Sequence, residues 1–448
     1  MCCGTEGRVA IDPIRTLHTA TLQEFDMPQN TADQISNLLD ECEDMLNGVR
    51  LIQELSPKSK DQLVSYGERC SVRVMAARLN QLGVPAQAFD AWELGIRTNS
   101  DFTEATLVPD YADRVREAFS RVDAGVVAVV TGFIGHDPHG KVTTLGRGGS
   151  DLTATALGSA LRVDEIQVWK DVDGILSSDP RLVKNAVPVN QVSYEEASEL
   201  AYFGAQVLHP IAMQPAMKEN VPVHVKNSYN PDARGTIIME DSLDDKLVSW
   251  QNNKSLSLSL CTDVYRVVSH TLVTQVTAIT YKRSVKLLDI CSTQMLGTYG
   301  FLAQIFGDFA KNQLVVDVLA SSEVSVSLTL DKKQNRESIE NLLQDVSPYA
   351  QVNVKDNRAI LTLIADVERS SEVLATVFRV FYKEDIKVEM MSQGASKVNI
   401  SFILDDDDLE KAVLELHKCF FEDVCVVVPV SDKQPALDIV DGSSEHKP

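Results

Sequence analysis

At 448 residues and 44% hydrophobic content the chain has ample apolar surface for buried cores, and its length suits roughly two to four domains. Its 64 acidic against 42 basic side chains leave a net charge of -22, which repels a phosphate backbone and the anionic face of a membrane, so neither nucleic acid nor membrane is expected as a partner. No run approaches the ~20 apolar residues of a bilayer span, the start MCCGTEGRVAIDPIRTLHTA lacks a secretory apolar stretch, and a soluble compartment is expected. Eight cysteines are scattered singly apart from Cys2-Cys3, without C-x-x-C pairs or histidines at zinc-ligand spacing, so reduced thiols and no protein-bound metal site are expected. Cys2 and Cys3 read as a loose terminus rather than a lipidation signal.

From Thr31 to Leu51 apolar residues fall at Ile35, Leu38, Leu39, Cys42, Met45, Leu46 and Val49, the spacing of an amphipathic helix. A second helix is predicted over Lys60 to Leu82, then Gly83 and a strand over Val84 to Phe89. Gly125 to Phe133 is a short, continuous apolar run rich in β-branched residues, predicting a parallel strand buried on both faces. A hairpin through Asp137, His139 and Gly140 follows, then a Gly-rich loop, a helix from Ser150 to Leu161 and a strand from Glu165 to Trp169. Helices over Glu195 to Phe203 and Ile211 to Glu219 precede a strand over Pro222 to Lys226, and this alternation predicts an α/β sandwich with a parallel-rich sheet.

Past Thr236 the pattern changes. Asp241 to Asp263, with DSLDDK and SLSLSL, reads as connector. Two βαββ units follow: strand Val285 to Ile290, helix Phe301 to Lys311 and strands Val315 to Leu319 and Val324 to Leu330, then strand Ala359 to Ile364, helix Glu372 to Glu384 and strands Lys387 to Met391 and Lys397 to Ile403. The tail from Lys433 is polar and is expected to be disordered.

Chemistry concentrates in two segments. In TTLGRGGSDLTATALG, Thr143 to Gly158, the glycines admit close approach of backbone N–H groups to an anion, and the helix that follows aims its positive end there. Arg147 adds a fork of donors suited to carboxylate or phosphate, Ser150 is placed to cap the helix, and Asp151 complements its dipole. Taken alone, the same residues fit a well-capped helix start equally well. QVWKDVDGILSSDPR, Gln167 to Arg181, sets Lys170, Asp171 and Asp173 at a strand end, where ligands sit in open α/β sheets. In isolation a polar turn and a solvated lysine explain it better.

Together with SYGERCS (65–71), ELAYFGAQVLHP (199–210) and VKNSYNP (225–231), these segments resemble, in order, the signatures of the aspartate kinases. LDICSTQMLGTYGFLAQIF and VVDVLASSEVSVSLTLD resemble a first ACT regulatory domain, and the match is nearest to lysine-sensitive plant-type enzymes. The resemblance implies an α/β amino acid kinase-like αβα sandwich over 1–240, a connector over 241–284, two α+β ferredoxin-like ACT domains over 285–355 and 356–430, and a tail over 431–448. It implies ATP-dependent phosphorylation of the L-aspartate side-chain carboxylate to 4-phospho-L-aspartate, the first step towards lysine, threonine and methionine, with L-lysine as the expected allosteric effector. Magnesium is expected with the nucleotide.

Carried over by residue, Glu68 would meet the aspartate ammonium and Arg147 a substrate carboxylate, with Gly148, Gly149, Ser150 and Asp151 completing the pocket. Arg147 and Asp151 would serve catalysis. Nucleotide contacts would fall on Lys170, Asp171, Leu176, Arg181, Lys226 and Asn227. Effector contacts would fall on Met295, Thr298, Gly300, Phe301, Leu302, Val316, Asp317, Ser321 and Glu323, where core packing is the alternative for Met295, Phe301 and Val316. The acceptor carboxylate, with a pKa of ~3.9, is already ionised at neutral pH, so positioning and charge neutralisation rather than a general base would supply most of the rate. A homodimer or homotetramer through the ACT domains and residence in the plastid stroma are also implied, with the cytoplasm as the alternative compartment.

The sequence departs from the family twice. Nothing in residues 1 to 60 matches the family's opening strand and K-F-G-G-S loop, so an N-terminally incomplete kinase domain is expected, and a catalytically impaired amino-acid-binding subunit is the alternative function. Ser249 to Leu272 interrupts an otherwise alignable segment, and a retained intron translated in frame would account for it.

Overall fold

In the computed structural model the described residues are 11–203, 208–240, 276–291, 300–322, 324–365, 370–393 and 398–422. Helices α1 (Asp12–Glu24), α2 (Gln29–Ile52) and α3 (Pro57–Gln81) come first. They close around Ile35, Leu38, Leu39, Tyr66 and Cys70, so the periodicity of α2 does bury one face. Ser56 caps α3 by accepting from the Ser59 N–H at 3.2 Å, and Pro57 opens it without sacrificing an intrahelical bond.

Strand β1 (Ala86–Phe89) pairs in parallel with β2 (Val127–Val130), and helix α4 (Tyr111–Phe119) lies between them in sequence. Strands β3 (Ile134–His136) and β4 (Val142–Thr144) form the expected hairpin. Helix α5 (Gly149–Leu161), β5 (Ile166–Lys170), β6 (Gln191–Ser193), α6 (Tyr194–Phe203), α7 (Pro210–Glu219), β7 (Val223–Asn227) and β8 (Thr236–Met239) complete the N-terminal half. Its largest sheet runs β5-β7-β8-β6, with β5 and β7 parallel, β6 and β8 parallel, and β7 antiparallel to β8. Strand β2 departs from expectation: among the described residues it has one strand neighbour, and Val127 is 44% exposed rather than buried. An apolar β-branched run reports strand propensity, whereas burial depends on which layers the fold sets against it.

The C-terminal half comprises β9 (Val276–Cys291), α8 (Phe301–Lys311), β10 (Leu319–Ser321), β11 (Ser325–Leu330), α9 (Arg336–Val346), β12 (Gln351–Ala365), α10 (Ser370–Lys383), β13 (Met390–Gln393), β14 (Asn399–Asp405) and α11 (Asp406–His417), which ends in a π-helical turn, Lys418–Glu422. All six strands join one antiparallel sheet in the order β10-β11-β9-β12-β14-β13. Helices α8 and α9 cover the first unit, and α10 and α11 the second. Val285, Leu287, Ile360 and Ile403 gather instead with Phe203 of α6, so the N-terminal half packs against the sheet.

Three expectations change here. Strand β9 starts at Val276, inside the stretch read as connector, because Val276, Ala278 and Ile279 are buried in cores. Helices α9 and α11 extend the expected βαββ units. The strands placed at Val315 to Leu319 and Lys387 to Met391 begin only at Leu319 and Met390, where partners β11 and β14 lie. The Ser249 to Leu272 insertion and the tail fall outside the described residues.

Candidate active site

The turn into α5 depends on glycine. Gly148 has φ +77°, and a Cβ there would stand 2.5 Å from the Cβ of His209, so a side chain is excluded both by conformation and by space. Gly148 is itself the N-cap, and no side chain caps the helix. Ser150, expected as the cap, sits exposed in the first turn, because the left-handed glycine already redirects the chain one position earlier. A helix N-terminus without a side-chain cap leaves its positive end open to an anion. The buried Asp61 carboxylate anchors the preceding strand, accepting from the N–H groups of Thr103 at 2.8 Å and Thr144 at 3.0 Å and from the Thr144 hydroxyl at 2.9 Å. Glu68, on α3, is half-buried; burial pushes its carboxyl pKa up, and a hydrogen bond from the Gly132 N–H opposes that shift. Gly132 abuts Ser150, since a Cβ at 132 would lie 3.1 Å from it, so Glu68 points towards the seat at α5.

The second segment meets the first directly. Lys170, at the end of β5, donates to both Asp151 oxygens at 3.0 and 2.9 Å. Asp171 is exposed in the following turn. Asn227 is buried and donates to Asp173 at 2.8 Å, holding that turn, while Lys226 lies 5.1 Å from the Trp169 ring centroid. Leu176 bridges to Pro188, and Arg181 pairs with Asp179, whose carboxyl it holds below the ordinary range.

Arg147, Gly148, Asp151, Lys170 and Arg181 line one cavity of about 740 Å³. The C-terminal half forms its other wall through Tyr281, Lys282, Arg283, Asp331, Lys332 and Lys333. Seven basic side chains thus face two carboxylates, Asp151 and Asp331, in a protein of net charge -22. Such a concentration of cations suits a polyanion. Glu68, Gly149, Ser150, Asp171, Leu176, Lys226 and Asn227 lie outside that lining. Among the described residues no group of acids, histidines or cysteines could by itself hold a metal.

Profiles of known families match both halves: the amino acid kinase family over residues 14–227 and an ACT domain over 365–420. Aspartokinase 3, chloroplastic, of Arabidopsis thaliana is 44% identical over 443 residues, spanning 96% of this chain and 74% of that protein. The chain belongs to the aspartokinase family. Lysine-sensitive aspartokinase 3 of Escherichia coli is 33% identical over 92% of this chain and 86% of its own. The crystal structure of E. coli aspartokinase III with lysine and aspartate superposes with a TM-score of 0.71 at 32% identity, covering 92% of this chain and 86% of that one. The Clostridium acetobutylicum aspartate kinase shares the fold at a TM-score of 0.73 and 23% identity, over 91% of this chain and 84% of that one. Aspartokinases phosphorylate aspartate from a nucleotide and are regulated through ACT domains.

In this aspartokinase the expected effector residues separate. Phe301 is buried and meets Tyr349 edge-on at 5.8 Å, and Val316 packs against the same core. Gly300 is the left-handed N-cap of α8, Leu302 is exposed beside it, and Ser321 lies on edge strand β10. Met295, Thr298 and Glu323 fall outside the described residues. The side chain of Asp317 is only 6% exposed: its Oδ1 accepts from the Tyr202 hydroxyl at 2.7 Å and from Lys282 Nζ at 3.2 Å. Its Oδ2 is buried with no hydrogen-bond partner among the described residues. Tyr202 and His209 stand in a signature segment quoted above without a role attached, so the signal was present but unassigned. Lys332 and Lys333 gave no signal, because two lysines in a polar turn look solvated wherever they fold.

Proposed function

We propose that the chain binds ATP and L-aspartate in the cation-lined cavity and transfers the terminal phosphoryl group to the aspartate side-chain carboxylate. The observation that carries this reading is the Lys170–Asp151 ion pair, which joins the acidic-substrate seat to the nucleotide segment at one point. Arg147 and the open end of α5 attract the substrate carboxylates, and Glu68 receives the ammonium. Lys170 and Arg181 meet the nucleotide from the cavity lining, and the resemblance extends its contacts to Asp171, Leu176, Lys226 and Asn227 on the adjoining segments. Facing basic groups neutralise charge on the transferring group, which is where such a reaction gains most of its rate. A wall rich in lysine and arginine with no carboxylate cluster fits magnesium that arrives on the nucleotide's own oxygens, where it would shield phosphate charge.

Regulation by L-lysine is supported by the orphaned Oδ2 of Asp317, a buried acceptor that an incoming ammonium group would satisfy. The modules over 285–355 and 356–430 would serve as two ACT domains and as the contact through which a homodimer or homotetramer forms. The chloroplastic names of three Arabidopsis relatives favour a plastid location. A coupled ADP-release assay with L-aspartate tests the enzyme: turnover lost in Arg147→Ala supports it. Stabilisation by lysine without turnover in the unaltered chain would support a regulatory subunit instead.

A further inference from the structure

The excursion Ile175 to Val189 leaves the nucleotide-facing turn and returns, closed by Ser177 N–H to the Val187 carbonyl and Val189 N–H to the Ile175 carbonyl, each at 2.8 Å. Its outer side is gripped by the C-terminal half. The Ile279 N–H of β9 donates to the Ser177 carbonyl at 2.7 Å, the Tyr281 hydroxyl to Asp179 at 3.1 Å, and Val183 is buried in the core under α10 and α11. At the centre, Ser177 and His417 are both 0% exposed, with Ser177 Oγ 2.8 Å from His417 Nε2. His417 Nδ1 lies 3.0 Å from Glu422 Oε1, and its ring stacks on Phe421 at 4.7 Å.

Glu422 fixes one of these directions, and the tautomer that follows from it sets the other. A carboxylate only accepts, so Nδ1 carries the proton, and in the neutral ring Nε2 is left to accept from the Ser177 hydroxyl. Ser177 Oγ in turn accepts from the Val187 N–H at 2.9 Å, across the neck of the excursion. The hydroxyl's proton is committed and no solvent reaches it, so this serine–histidine–glutamate chain is a clasp and not a nucleophile.

We propose that His417, oriented by Glu422, is a positioning residue for the nucleotide site: through Ser177 it sets the conformation of the segment bearing Leu176 and Arg181. The proposal rests on the reading that this segment holds the nucleotide. Nothing in the clasp approaches the aspartate seat, so its loss should be felt by one ligand and not the other.

The test is calorimetric titration of the full chain with magnesium ADP and, separately, with L-aspartate. His417→Phe keeps the buried ring but removes the acceptor, and should weaken ADP about tenfold while aspartate affinity changes less than about twofold. His417→Gln, whose amide oxygen can accept from Ser177, should recover most of the ADP affinity. Ser177→Ala should match His417→Phe, and combining the two should add little. Ser177→Ala removes the same bond without enlarging a buried group, so it decides the matter if His417→Phe does not fold. Unchanged ADP affinity in these variants, equal weakening for both ligands, or no recovery in His417→Gln would overturn the proposal. Absence of ADP binding by the unaltered chain would remove the nucleotide reading and the proposal with it; ADP binding that is equal in unaltered and variant chains removes the proposal alone.

Discussion

The two halves bury their strands in different ways. Among the described residues the catalytic half divides its strands into two pairs and one four-stranded sheet, and β2 leaves Val127 exposed. The regulatory half unites six strands in one antiparallel sheet, with helices on one side and α6 of the catalytic half on the other. The proposed catalytic seat lies on turns between small sheets, where a glycine and a helix end define it. The regulatory sheet is a single six-stranded sheet, and it also supplies residues to one wall of the cation-lined cavity. A ligand on either side can therefore bias the other through contacts already made.

Four changes would break or sharpen that contrast. The largest effect is expected for Arg147→Ala, which should lower kcat/KM for aspartate ~100-fold, read by coupled ADP release. A loss of less than about fivefold would move the acidic seat elsewhere. Next, Asp317→Asn should raise the lysine concentration for half-inhibition at least about tenfold, because a charged partner for the ammonium is replaced by a neutral one. Equal inhibition curves would detach Asp317 from the effector. Converting both Lys332 and Lys333 to Glu should raise KM for ATP several-fold at low ionic strength, with the difference shrinking as salt is added. If KM stays constant, the regulatory wall is electrostatically idle.

The smallest effect concerns pH. Burial raises the Glu68 pKa, so on acidification this residue becomes neutral before an ordinary glutamate does, and aspartate KM should climb as pH falls through that raised value. The folding contribution has the opposite sign. A raised carboxyl pKa means the folded state binds the proton more readily than the unfolded chain, so the burial cost present at neutral pH is relieved as pH falls. Glu68→Gln should flatten the acidic limb of the aspartate KM profile, and an unaltered limb would separate Glu68 from the substrate ammonium.

Much of the catalytic half was legible because its signals are local. Glycine at positive φ, a strand end and a helix start are each written in a few adjacent residues, and α2, α3, α5 and the β3–β4 hairpin fall where periodicity and turn residues place them. The regulatory half was read less completely. No helix is predicted from the sequence after Ile403, although Leu409, Ala412, Val413 and Leu416 carry the right spacing; in the fold Asp405 caps α11 and the next three aspartates complement its dipole. The start of β9 was hidden behind a repetitive polar stretch. Asp317 was singled out from the resemblance, yet its engagement by Tyr202 and Lys282 depends on segments 115 and 35 residues away, a distance over which local pattern carries no information.

Strand β9 has a mechanical consequence. Its 16 residues extend about 50 Å at the rise of a β-strand, entering beside Ala278 in the catalytic core and leaving beside Ile290 under α8. One strand thus has an end in each compartment, and it bends near its middle, where Ser284 takes φ +59° and the ladder to β12 shifts register beside Lys282. Movement transmitted along the strand from one compartment to the other would have to pass through that bend, which lies next to a lysine lining the cavity.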